Sequence, residues 1–108
     1  MRASTGSAAT LAVFLFLAAF PALGGETVRV VIDKYRFQPD VVRVAPGTVV
    51  EWLNGEKRTS HSVLFEGEGE SDRLFPGDSF RKTFDKPGRY PYTCGPHREM
   101  KGVVEVVP

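Results

Sequence analysis

The chain has a single cysteine, Cys94, only two histidines, His61 and His97, and two methionines, of which one is the initiator. One cysteine excludes an internal disulfide, and it excludes the dinuclear copper sites that need two bridging thiolates. Two histidines are too few for a trinuclear oxidase cluster. An excess of charge is missing as well: 14 Lys and Arg stand against 13 Asp and Glu, so no field gathers nucleic acid or an anionic membrane. The apolar stretch Ala8 to Phe20 is shorter than the roughly 20 residues of a membrane-spanning helix, so no stable membrane insertion is expected.

What is there suits one small domain with a packed core: 108 residues, 42% hydrophobic, with eight Phe, three Tyr and one Trp. The first residues read as an address. Met1-Arg2 gives a short positive start, the apolar stretch follows, and Ala22-Leu23-Gly24 offers small residues where a signal peptidase cuts. Residues 1–24 are therefore expected to be a signal peptide for export to the periplasm, and 25–108 the mature domain. Removing the leader takes away one arginine and no acid, which leaves basic and acidic residues equal in number.

From Val28 onward the pattern is β-structure. Val28, Val30 and Ile32 alternate with Arg29, Val31 and Asp33, and Val42 and Val44 flank Arg43, the period of a strand with one buried face. Further strands are expected over 49–53, 61–65, 79–84, 89–93 and 102–107, separated by Gly-rich or Pro-Gly turns such as Phe75-Pro76-Gly77-Asp78 and Asp85-Lys86-Pro87-Gly88. Seven or so short strands at this spacing predict an all-β, antiparallel Greek-key sandwich. Parity puts Tyr90, Tyr92 and Cys94 on one face, toward the core, and Val104 and Val106 inward on the last strand. Lys82 shares parity with Phe80 and Phe84, which predicts a bulge or an edge position there.

Exported domains of this size often staple themselves with cysteine pairs, so the unpaired Cys94 needs another role. A buried Cys can act as a small hydrophobe, and each histidine alone could be an ordinary loop residue. Together they form a pattern. Cys94-Gly95-Pro96-His97-Arg98-Glu99-Met100 spaces a thiolate, an imidazole and a thioether three residues apart, and His61 can supply a fourth donor from upstream. A trigonal His₂Cys plane with a weak axial Met is the donor set of an electron-transfer copper site. Zinc also accepts Cys and His, so residue types alone leave both metals open.

The chain resembles the cupredoxins, the small blue copper proteins that include plastocyanin, pseudoazurin and amicyanin. The likeness runs through Phe37-Gln38-Pro39, through residues 42–54 (VRVAPGTVVEWLN), through His61-Ser62-Val63, and through residues 84–94 (FDKPGRYPYTC) and onward. The two-residue gap between His97 and Met100 is similar to the short ligand loop of amicyanin. The resemblance implies one copper ion, held by His61, Cys94 and His97 in a plane with Met100 on the axis. One departure is Ser62, where plastocyanin and amicyanin usually have an Asn that ties the two ligand loops together; a serine bonds over a shorter reach.

The implied function is that of a soluble one-electron carrier cycling between Cu(I) and Cu(II), not an enzyme. A copper-delivery protein of the same fold is the alternative. A monomer is expected, docking transiently with c-type cytochromes, a periplasmic dehydrogenase or a reductase. Electrons should pass through His97, whose loop position exposes a ring edge inside a rim of Arg58, Arg98, Glu99 and Lys101. The acidic run Glu66, Glu68, Glu70, Asp72 offers a second possible contact, or simply a solvated loop.

Overall fold

A computed structural model describes residues 25–108; the leader expected over 1–24 lies outside the described residues. Nine strands appear in it: β1 (Thr27–Asp33), β2 (Arg36–Gln38), β3 (Val41–Val44), β4 (Thr48–Asn54), β5 (Leu64–Phe65), β6 (Gly69–Glu70), β7 (Ser79–Phe84), β8 (Gly88–Thr93) and β9 (Lys101–Val106). They form two sheets, in the orders β2-β1-β4-β7 and β3-β9-β8-β5-β6. The β-sandwich is as expected, but its sheets are mixed: β1 runs parallel to β4 and β3 parallel to β9. The cause lies in the connections. Between β1 and β4 the chain visits the opposite sheet through β3 and returns in its original direction, which hairpins alone cannot do.

Period-two alternation is visible in the burial. Val30, Ile32, Val50, Trp52 and Val104 are wholly buried, and Val42, Val44, Phe84, Tyr92 and Val106 nearly so. Trp52 is the hub, with the rings of Phe65, Phe80, Phe84 and Tyr92 around it at centroid distances of 5.3–6.4 Å, those of Phe65 and Tyr92 edge-on. Burying such a side chain is worth several kcal/mol, and truncating it to Ala costs about 3–5 kcal/mol. The Tyr92 ring also crosses the next strand, where a Cβ on Gly102 would lie 2.3 Å from it. Gly102 stands opposite Tyr92 in the β8–β9 register, so a glycine there makes room for the aromatic. Burial pushes the Tyr92 phenol up to about 12.

Of the two explanations for Lys82, the edge position is the one found. β7 pairs with β4 in unbroken register from Leu53↔Ser79 to Thr48↔Phe84, without a bulge, and has no neighbour on its other side among the described residues. The Lys82 stem follows the core margin, its ammonium 5.6 Å from the Phe65 and Phe84 ring centres and 3.4 Å from Glu68. On the outer face of the same sheet, Glu51 sits directly across from Arg29 and Arg81 and bonds both, at 2.9 and 3.1 Å. Their guanidinium groups hold its carboxyl below the usual carboxylate range.

Candidate metal centre

Two loops at one end of the sandwich carry the predicted residues. The first leaves β4 at Asn54 and reaches β5 through His61; the second joins β8 to β9 through Cys94, His97 and Met100. A strand over 61–65 is not formed, because the amides before Leu64 go elsewhere. His61 exchanges both backbone bonds with Leu74, the Ser62 amide donates to Cys94 Sγ at 3.4 Å, and the Val63 amide donates to Ser71 Oγ at 3.0 Å. The chain is thereby bent so that His61 faces inward, fully buried.

Asn54 anchors the first loop from below. Wholly buried, it donates to the carbonyls of Thr59 and Leu74, both at 2.9 Å, and accepts the Glu56 amide at 2.9 Å. Glu56 in turn places its carboxylate 3.1 Å from His61 Nε2. A carboxylate only accepts, so Nε2 carries the ring proton and Nδ1 presents a lone pair to the interior. Burial, set against the attraction of Glu56, moves the His61 imidazole below its ordinary value; the ring stays neutral, as a metal donor must be.

The second loop is short and closed on itself. The Cys94 amide donates to the Met100 carbonyl at 3.2 Å, and the Met100 amide to the His97 carbonyl at 2.9 Å. Cys94 emerges fully buried at the end of β8, on the face of Tyr92 as parity requires, and Met100 is buried just before the start of β9. His97 is half-buried.

Three of the four predicted donors meet. Cys94 Sγ lies 3.5 Å from His61 Nδ1 and 3.6 Å from His97 Nδ1, and the two Nδ1 atoms are 3.2 Å apart. These separations make a near-equilateral triangle whose corners lie about 2.0 Å from its centre, the length of a metal–imidazole bond. Two nitrogens and one thiolate around such a point fit a copper ion. Met100, also buried, shares the loop of Cys94 and His97.

Three residues around the triangle were not placed at the site by the sequence. Glu56 is one. Tyr35 is the second: its ring stands edge-on to His61 and His97, at centroid distances of 5.4 and 4.9 Å, and its amide donates to the same Glu56 oxygen at 2.8 Å. Tyr35 and Lys34 form the β1–β2 turn with φ of 58° and 54°, a left-handed conformation that costs a non-glycine residue about 1–2 kcal/mol. Both offered weak signals, an acid five positions before a histidine and an aromatic in a turn without Gly or Asn. The third is Glu70, whose carboxylate bonds Ser62 Oγ. The acidic run is thus not a free patch, since Glu68 pairs with Lys82 and Glu70, though exposed, bonds the buried Ser62 hydroxyl.

Residues 6–106 match the family model of the cupredoxin-like domain. Amicyanin-alpha of Methylorubrum extorquens is 36% identical over 92% of this chain and 94% of its own length, and the plastocyanin of Scenedesmus fuscus is 31% identical over 65% of this chain and 85% of its own. The crystal structure of amicyanin from Paracoccus versutus superposes with a TM-score of 0.69 at 31% identity, covering 76% of this chain and 82% of that one. The chain belongs to the cupredoxins and is a type 1 copper protein that carries electrons.

Proposed function

We propose that His61, Cys94 and His97 hold the copper ion in their plane, with Met100 as the weak axial contact, and that the mature domain 25–108 works in the periplasm after removal of residues 1–24. The observation that carries the ligand assignment is the triangle of Nδ1, Nδ1 and Sγ, with sides of 3.2–3.6 Å. When bound there, copper supplies a one-electron couple. The residues supply constancy: Cu(I) and Cu(II) prefer different geometries, and donors fixed by Asn54, Glu56 and the β8–β9 hairpin leave little to rearrange. The chain is a carrier and not an enzyme, like its amicyanin and plastocyanin relatives.

As a carrier it exchanges electrons with partner proteins in transient contacts. The docking surface we infer centres on His97 and exposed Pro96, with Tyr35 and Phe75, 47% and 58% exposed, as further apolar area. Exposed Arg58, Arg98, Glu99 and Lys101 make the charged rim. An apolar centre inside a polar rim suits small interfaces that release quickly. Partners of the c-type cytochrome, periplasmic dehydrogenase or reductase kind fit this design, with the chain acting as a monomer.

The test is the copper-loaded protein itself. An intense thiolate-to-copper band in the visible, with reversible voltammetry, is the expected result. A Cu(II) adduct without that band overturns the ligand assignment, and copper lost on each reduction points to delivery instead.

A further inference from the structure

We propose that Glu70 is a positioning residue of the copper site, one that ties the two ligand loops together through Ser62 and sets the fixed charge beside the cysteine. This rests on the ligand assignment above. Ser62 is wholly buried, next to His61 in sequence. Its hydroxyl donates to Glu70 Oε2 at 2.6 Å and accepts the amide of Gly95, next to Cys94, at 2.9 Å. A hydroxyl has one proton and two lone pairs. Given to the carboxylate, that proton turns the lone pairs toward Gly95 and polarises the oxygen, so the second bond strengthens the first. The Gly95 amide thus reaches across 33 residues of sequence to the loop of His61. The serine oxygen reaches the Gly95 amide, but a lone hydroxyl is free to rotate; the carboxylate supplies the missing constraint.

The same arrangement explains Gly95. Its φ is not among the left-handed ones, so the backbone does not demand glycine. Space does: a Cβ there would fall 1.9 Å from Glu70 Oε2 and 2.7 Å from Ser62 Oγ. Glycine at 95, serine at 62 and glutamate at 70 therefore form one unit, and changing one should change what the others tolerate. Because the carboxylate is anionic and lies against the residue after Cys94, it also favours the more positive Cu(II) state.

Three variants and two measurements test this. In copper-free protein, Glu70→Ala should cut the exchange protection of the Gly95 amide about tenfold, the equilibrium factor of one net hydrogen bond, while Glu70→Gln, which can still accept from Ser62, should hold it within about twofold. In copper-loaded protein both variants should raise the reduction potential, since both remove the charge. Gly95→Ala should lose the amide protection by displacing the carboxylate, and should add little when combined with Glu70→Ala. Unchanged protection in Glu70→Ala, or additive effects of the pair, overturns the tie. An unchanged potential in Glu70→Gln overturns the electrostatic role. The exchange measurement needs no metal, so a wild-type protein lacking the thiolate-to-copper band would fail the ligand assignment and leave the tie to be decided separately.

Discussion

The two loops that bring donors to the metal centre are built on opposite plans. Around His61 side chains add to the backbone pairing with Leu74: Asn54 pins the loop, Glu56 fixes the ring, and the imidazole is wholly buried. Around His97 the support comes from the backbone, with a tight closure between Cys94, His97 and Met100 inside the β8–β9 hairpin, and the imidazole is half-exposed. The difference teaches that two residues of the same type can serve different purposes in one site. The first histidine is a wall of the cavity. The second is its door.

Removing what the loops share should have the largest effect. Cys94→Ser should abolish the thiolate-to-copper band altogether, as measured by visible absorption after copper loading, because a serine oxygen lacks the soft sulfur that copper favours. Next comes the direct test of wall against door. His97→Gly should bind copper weakly and recover a coloured site when imidazole is added, since the gap opens to solvent; His61→Gly should not recover, its gap being enclosed. Equal rescue of both would erase the distinction.

A smaller effect is expected from the support of the first loop. Glu56→Ala should weaken copper binding about 10–100-fold, the usual cost of removing a group that orients a metal-bound histidine, as measured by competition with a chelator. The smallest concerns a control on the outer face of the β2-β1-β4-β7 sheet. Glu51→Gln should lower the melting temperature at neutral pH and leave the visible spectrum unchanged. The Glu51 carboxyl is held below its ordinary 4.5 by Arg29 and Arg81, so its contribution is fully present above that value and is lost as pH falls through the lower folded-state one. The melting difference between the two proteins should therefore close in acid; a constant difference would show that the carboxylate charge is not what matters.

The strands were legible because alternation is a local signal. β1, β3, β4, β7, β8 and β9 lie within a residue or two of their expected bounds. β2 and β6, three and two residues long, are too short to alternate. The parallel pairs depend on which sheet each strand joins, which no window of sequence contains. At the site, Cys94, His61 and His97 stood out because their types are rare in the chain, and the geometry brings them together. Glu56 and Glu70 did not, because a carboxylate on a polar loop looks the same whether it faces water or a buried hydroxyl. Ser62 is the instructive case: its short reach was visible, but the residue that compensates lies eight positions on and is recognisable only by its contact.

The donor triangle spans a gap of 33 residues between His61 and Cys94, which bears on folding more than on redox chemistry. Bringing segments so far apart together costs loop-closure entropy, and any ion that binds the assembled triangle but not the unfolded chain offsets it by mass action, about 2.7 kcal/mol at a hundredfold excess over its Kd. A domain with one cysteine has no covalent staple. Through a metal, that one thiolate can cross-link distant segments reversibly, so the same ion that exchanges electrons also fastens the fold.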